Sequence, residues 1–366
     1  MAEEQLQRAE SNLKPSELKA AFKRSRDIDA LLDEERELKE KEVQILILGP
    51  GCSGKTTFLK QLRIVYDNGY TEEERKAFKP IIYKNISSAI AKIVKGMDEI
   101  GLTFENNDLR TKNFTEESLE NSSSEDNENN NFSLQDRVPL LTEFWNDPSV
   151  QTCYDQRNLF YIEDSAKYFF ENLERLSQPD YIPTHEDILH ARQSTQGVEE
   201  KKISVNNFQY RVIDVGGQKS QRKKWIHFFE GVTAVVFFAS LSSYDEFVEE
   251  DENTNAMLDS LELFEEISQN EFLENTEFIL FLNKHDLFVE KLKTSKLSSC
   301  FPDYEGGPDP EIALAYVQDL FMKRKPENKK VYLHVTCATD TDLMRTVLKD
   351  VFEILVDINL KKLATL

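Results

Sequence analysis

The apolar positions of the chain fall into two spacings. Short continuous runs suit buried strands, and wider stripes suit helices. Val43 to Leu48 is such a run, with the length of a buried parallel strand, and a helix is predicted directly after the glycine-rich stretch that follows it. From about Asp67 to Ile182 the pattern is helical, as in TEEERKAFKPIIYKNISSAIAKIVKGM and EDSAKYFFENLERL. Within it SLENSSSEDNENNNF, Ser118 to Phe132, is polar and without periodicity, so it reads as a mobile loop. Strand spacing returns at Lys201 to Val205 and Gln209 to Val215, with a hairpin turn around Asn206-Asn207. Three more buried runs follow at Thr233 to Ala239, Phe278 to Leu282 and Val331 to Val335, separated by helical stretches. Asp342 to Leu366 closes the chain as a helix with Leu343, Val347, Val351, Leu355 and Ile358 on one face. Before Glu42, Ile28, Leu31, Leu32 and Leu38 lie at helical spacing below Lys19, Lys23, Arg24 and Arg26. That segment reads as a projecting amphipathic helix, either a solvated face or one that docks on a partner. The alternation implies an α/β fold with a mostly parallel sheet, helices on both faces, and an all-helical insertion.

Composition narrows the functional classes. At 366 residues, 39% of them hydrophobic, the chain can bury the cores of about two domains. A formal net charge of -22 opposes encounter with nucleic acid or an anionic membrane. It does not oppose a phosphate ligand held by local amides and cations, because distant carboxylates are screened. The four cysteines Cys52, Cys153, Cys300 and Cys337 form no C-x-x-C pair, and no signal-peptide pattern begins the chain, which together suggest a cytoplasmic setting. No stretch reaches the roughly 20 apolar residues that span a bilayer, so peripheral membrane contact is the most expected. Met1-Ala2 also places alanine where myristoylation needs glycine, with no nearby cysteine to palmitoylate.

The glycine-rich stretch, Gly49-Pro50-Gly51-Cys52-Ser53-Gly54-Lys55-Thr56, fits G-x-x-x-x-G-K-[ST] between a strand and a helix start. In that context its backbone N–H groups can cradle phosphate oxygens, Lys55 can neutralise the outer phosphates, and the Thr56 hydroxyl can ligate Mg²⁺. Asn283-Lys284-His285-Asp286 ends a buried run, where a base can be read. A carboxylate at Asp286 can accept from N1–H and N2–H₂ of guanine, a donor pair adenine lacks, so guanine is selected. Val212 to Gln218, VIDVGGQ, ends another: Asp214 can hold Mg²⁺ through water, the Gly217 N–H can meet a terminal phosphate, and Gln218 can orient an attacking water.

Asp187 to Val198, DILHARQSTQGV, resembles the first switch of heterotrimeric G-protein α subunits. The resemblance spans most of the chain, through the phosphate loop, EDSAKYF, QPDYIPT, R-x-x-T-x-G, DVGGQ with KKWIHFFEGVTAVVF, NKHD, and Thr336-Cys337-Ala338-Thr339. It implies a Ras-like P-loop GTPase domain (42–66 and 183–366), interrupted by a helical domain (67–182) and preceded by an N-terminal helix (1–41), with GDP clasped between the two domains. It implies Arg192 as a built-in arginine finger, Gln218 as the water-orienting residue, and Thr56 and Thr195 as Mg²⁺ ligands. It places Gly51, Cys52, Ser53, Gly54, Lys55, Thr56 and Thr57 around the phosphates, with Leu189, His190 and Ala191 beside the nucleotide. Asp164 and Ser165 would reach across from the helical domain, and Asn283, Lys284, Asp286 and the Ala338 backbone would read guanine. Lys219 to Trp225 and Glu249 to Asn255 would be the second and third switches. The implied partners are a βγ dimer, a seven-helix receptor, effectors and RGS-type GTPase-accelerating proteins, at the inner face of the plasma membrane.

Three positions depart from the family pattern. Cys52 stands where Glu is usual, Ala256 where Arg is usual, and the N-terminal lipidation signals are missing. A neutral thiol offers Arg192 no carboxylate, so a weaker latch over GDP is expected. Two rival functions remain: a P-loop kinase, opposed by NKHD and Gln218, and a non-hydrolysing scaffold, opposed by Arg192 together with Gln218.

Overall fold

A computed structural model describes residues 23–24, 26, 42–112, 114, 134–195, 197–205 and 208–364. The amphipathic segment before Glu42, the polar stretch Ser118 to Phe132 and the turn Asn206-Asn207 lie outside them, apart from Lys23, Arg24 and Arg26.

Six strands form the main sheet: β1 (Glu42–Leu48), β2 (Val198–Val205), β3 (Phe208–Val215), β4 (Ala234–Ser240), β7 (Glu277–Asn283) and β8 (Val331–Val335). Their order is β2-β3-β1-β4-β7-β8, antiparallel only between β2 and β3 and parallel elsewhere. Two short strands, β5 (Phe247–Val248) and β6 (Asp251–Asn255), pair antiparallel as a separate ribbon. β4 is buried at every residue, as its unbroken apolar run requires of a strand covered on both faces. β2 begins three residues ahead of the expected Lys201, because Val198 to Glu200 pair with Val215 to Ile213 although their side chains face solvent. Thr233 stays just outside β4, exchanging hydrogen bonds with the Gln44 backbone through its own N–H and hydroxyl.

Both faces of the sheet are covered. Phe58, Leu59 and Leu62 of α1 (Lys55–Tyr66) pack with Met344, Leu348, Phe352 and Leu355 of the C-terminal helix Thr341–Ala364 on one face. On the other, Leu261, Phe264 and Ile267 of the helix Ala256–Ser268 meet Ala313, Val317 and Phe321 of Pro310–Arg324.

The inserted segment has a core of its own. Its longest helix, α2 (Lys79–Ile100), starts with Pro80 in the first turn, where a missing N–H costs nothing, and ends on Gly101 at φ 76°. Ile82, Ile86, Ala89, Ile90, Ile93 and Met97 make a helical stripe that packs against Leu141, Phe144, Val150 and Phe169. Among the described residues no helix is long and apolar enough to cross a membrane.

Candidate active site

Parallel register brings the chemistry to one edge of the sheet. Ile47 of β1 sits opposite Asp214 of β3, Ser240 of β4 opposite Asn283 of β7, and Leu282 of β7 opposite Val335 of β8. The loops leaving β1, β3, β7 and β8 therefore converge at the carboxyl ends of the strands, where ligands bind in open α/β sheets. A cleft of about 220 Å³ lies there, closed on its far side by Tyr161, Glu163, Asp164 and Ser165 of the insert.

Nearly all the expected residues line this cleft: Gly51, Cys52, Gly54, Lys55, Thr56, Thr57, Asp164, Ser165, Leu189, His190, Ala191, Arg192, Thr195, Gly217, Gln218, Asn283, Lys284, Asp286 and Ala338. Ser53 and Asp214 stand behind its wall. The Ser53 hydroxyl turns back to donate to the Pro50 carbonyl, and Asp214 Oδ2 accepts from the Thr56 hydroxyl at 3.4 Å.

At the phosphate end, Lys55 Nζ donates to the carbonyls of Gly49 at 3.0 Å and Pro50 at 2.5 Å. Burial pulls its pKa down to about 8, against the attraction of Asp214. Burial likewise pushes Asp214 up to about 6, with Lys55 opposing. Gly217 approaches so closely that a Cβ there would lie 2.5 Å from the Gly49 oxygen and 2.6 Å from that of Pro50. The next carbonyl back, that of Gly216, accepts from the indole of the buried Trp225 at 2.9 Å.

At the base end, Asn283 serves as a tie. Its Nδ2 donates to the Ser53 carbonyl at 2.9 Å, while its Oδ1 accepts from the Ala338 N–H at 2.9 Å and the Thr336 hydroxyl at 3.1 Å. The loops that follow β1, β7 and β8 are thereby joined through one buried carboxamide. Lys284, at φ 61°, bridges to Asp164 of the insert at 2.5 Å. Burial works against its charge, yet the carboxylates of Asp164 and Glu246 together more than offset this and hold the Lys284 pKa above the usual lysine value. Asp286 is exposed on the cleft wall.

Helix α1 carries both ends. Lys60 Nζ donates to the carbonyls of Ile188 and Ala191 at 2.8 and 2.6 Å, holding the segment that leads into Arg192. Its neighbour Gln61 donates through Nε2 to the Ala338 carbonyl at 2.9 Å and to the Thr341 hydroxyl at 3.2 Å.

A family model described as G-protein alpha subunit matches residues 22–355. The chain belongs to that family. Guanine nucleotide-binding protein G(o) subunit alpha of Locusta migratoria is 40% identical over 348 residues, which cover 94% of this chain and 97% of that protein. The protein of the same name from Caenorhabditis elegans is 40% identical over 361 residues, with the same coverage.

The donor set of this α subunit fits a magnesium ion. The hydroxyls of Thr56 and Thr195 lie 2.8 Å apart beside Asp214, whose Oδ1 is buried without a hydrogen-bond partner. Two hydroxyls and an orphaned carboxylate oxygen are hard oxygen donors with capacity to spare. Among the described residues no cluster of three or more His, Cys, Asp or Glu could hold a metal instead.

Several contacts of this α subunit escape motif reading. Arg192 finds carboxylates at Glu163 and Glu249, both at 2.9 Å, while Cys52 Sγ lies 3.3 Å from the Tyr161 hydroxyl. Glu163 stands inside the EDSAKYF motif, immediately before Asp164, and that adjacency was the available signal. Tyr161 carries none in sequence, and Glu249, although it opens the stretch implied as the third switch, reaches Arg192 only through tertiary packing.

Proposed function

We propose that this α subunit is a self-timed guanine-nucleotide switch in which Arg192 and Gln218 hydrolyse GTP and Asp286 selects the base. Family membership carries the broader statement: the chain is a guanine-nucleotide-binding signal transducer with GTPase activity. The finer assignment rests on one observation above the others, the meeting of the Thr56 and Thr195 hydroxyls beside the unpartnered Asp214 oxygen, next to Lys55 and Gly217.

In this reading Thr56, Thr195 and Asp214 hold Mg²⁺, directly or through water. The ion, when bound, neutralises charge on the β- and γ-phosphate oxygens. Lys55 exchanges its loop carbonyls for phosphate oxygens, which restores full protonation to an amine that burial alone has weakened. Gln218 orients the attacking water, and Arg192 stabilises charge on the transferring phosphoryl group. The Asp286 carboxylate accepts from N1–H and N2–H₂ of guanine. Asn283 acts mainly by fixing these loops, and Lys284 by linking base loop to insert, rather than by reading the base.

The separate hydrophobic core of the insert supports a division into a nucleotide domain (42–66 and 183–366) and an inserted helical domain (67–182); the N-terminal segment (1–41) lies outside the described residues apart from Lys23, Arg24 and Arg26. The family's setting, at the cytoplasmic face of the plasma membrane with a βγ dimer, a seven-helix receptor, effectors and GTPase-accelerating proteins, is proposed for this chain on its family membership.

Single-turnover hydrolysis tests the assignment. Arg192→Cys and Gln218→Leu should each bind GTP normally and lose hydrolysis by at least ~10²-fold. The baseline for that loss is the rate common to α subunits that carry their arginine in cis, about 10⁻² s⁻¹. Near-normal rates in both variants would refute the roles given to these residues.

A further inference from the structure

Arg192 is held from two sides. Its Nη1 donates to Glu163 Oε1 at 2.9 Å and to the Tyr161 hydroxyl, and its Nη2 donates to Glu249 Oε2 at 2.9 Å. The guanidinium carbon also lies 5.0 Å from the centre of the Tyr161 ring. These partners differ in where they come from. Glu163 and Tyr161 belong to the insert, whereas Glu249 lies between β5 and β6 on the same side of the cleft as Arg192. The backbone of Arg192 is gripped by the insert as well: its N–H donates to Asn85 Oδ1 at 2.7 Å and its carbonyl accepts from Asn85 Nδ2 at 2.9 Å.

We propose that Glu163 is a positioning residue for Arg192, a charged latch across the nucleotide cleft that keeps it shut over bound GDP. A ligand in the cleft is covered on one side by Tyr161 to Ser165, so bonds spanning the cleft oppose its departure. Lys60 of α1 ties the carbonyls of Ile188 and Ala191, so when insert and sheet part Arg192 stays with the sheet, loses Glu163, Tyr161 and Asn85, and keeps Glu249. The two carboxylates are therefore not equivalent: Glu163 favours the closed cleft, whereas Glu249 holds Arg192 equally in both arrangements. Glu163 is well built for this task. It is 12% exposed, Lys92 of α2 bonds the same Oε1 at 2.5 Å, and its Oε2 is buried without a hydrogen-bond partner. A carboxylate so enclosed needs its cations, and Arg192 is one of only two that ion-pair with it among the described residues. Cys52 takes part indirectly, through its contact with the Tyr161 hydroxyl.

This inference rests on the nucleotide reading of the cleft, and it is tested by release rather than by hydrolysis. The measurement is dissociation of a fluorescent GDP analogue from the full-length, Mg²⁺-loaded protein, at low and at high salt. Glu163→Gln keeps the shape and removes the charge. A charge-assisted bond to an Arg192 side chain 27% exposed, hence partly screened, predicts roughly three- to tenfold faster release at low salt. Glu249→Gln should stay within about twofold of wild type. In an Arg192→Gln background, Glu163→Gln should add less than about twofold, because the partner is already gone. Tyr161→Phe, which removes only a hydroxyl, gives a second and milder test, with faster release that also disappears in the Arg192→Gln background.

Unchanged release in both Glu163→Gln and Tyr161→Phe would overturn the proposal. So would acceleration that persists without Arg192, which would assign Glu163 to Lys92 alone, or an equal effect of Glu249→Gln. Retained hydrolysis in Arg192→Cys would refute the finger and leave the release data standing, so the two readings fail separately.

Discussion

Gly54 is the position where the geometry makes its firmest quantitative demand. It opens α1 at φ 105°, and a Cβ there would lie 2.1 Å from Asn283 Nδ2. Gly54→Ala must therefore displace a carboxamide that is 2% exposed and makes three hydrogen bonds, to Ser53, Thr336 and Ala338. Strain from placing alanine at this φ is of order 1–3 kcal/mol. Breaking at least one buried bond and stranding its partner adds ~1–3 kcal/mol. The sum is about 2–6 kcal/mol. Gly101 is the internal control: it has φ 76°, but a Cβ there meets nothing within 4 Å, so Gly101→Ala carries backbone strain of ~1–2 kcal/mol alone. Urea unfolding of both variants in the GDP-bound state should show Gly54→Ala the more damaging by ~1–4 kcal/mol. Adding Asn283→Ala to Gly54→Ala should cost much less than Asn283→Ala in wild type, since the first change has already displaced that side chain. Equal destabilisation at the two glycines, or full additivity with Asn283→Ala, would refute the account of the tie.

Two further outcomes follow from other buried groups. Asp187 accepts from both Nη atoms of Arg175, from the hydroxyls of Tyr168 and Tyr181 and from the Thr184 N–H. Burial alone would raise its pKa, but these donors, Arg175 foremost, hold it well below the usual carboxylate range. Its contribution is thus complete above pH ~4, the unfolded value, and fades as pH falls. The stability gap between wild type and Asp187→Asn, about 2–3 kcal/mol near pH 7 once the exposure of Arg175 is discounted, should shrink on acidification below pH 4; a gap independent of pH would exclude the charged form. Trp225 is 1% exposed and bonded to the Gly216 carbonyl beside the proposed γ-phosphate contact. Its emission should change on replacing GDP by a non-hydrolysable GTP analogue, and identical spectra after correction for Trp145 would remove it from the switch.

The parts of this molecule that were legible in sequence are local ones. A buried run followed by G-x-x-x-x-G-K-T defines strand, loop and helix start within a few residues, and β1, Gly54 and α1 stand accordingly. The fully apolar run of β4 likewise permits only a covered strand. Edge strand β2 was harder, since Val198, Glu199 and Glu200 face solvent and only pairing with β3 makes them strand. Asn283 was visible as part of N-K-x-D, but its tie was not. The atoms it joins belong to Ser53, Thr336 and Ala338, and no periodicity relates residues so far apart. The surroundings of Arg192 were hidden for the same reason. Cys52 suggested a missing carboxylate, whereas the fold delivers two from segments with no shared pattern.

Adjacent residues on a helix point about 100° apart, and α1 uses that divergence at Lys60 and Gln61. One arm holds the carbonyls before Arg192, and the other holds the Ala338 loop and the start of the C-terminal helix at Thr341. The helix works as a yoke across the cleft, and a yoke cannot slacken on one side alone. A push on the C-terminal helix, which packs on α1 through Leu348 and Phe352, reaches the wall beside the base and the wall beside the phosphates in the same movement. The two walls of the cleft are thus coupled through the seating of one helix of 12 residues.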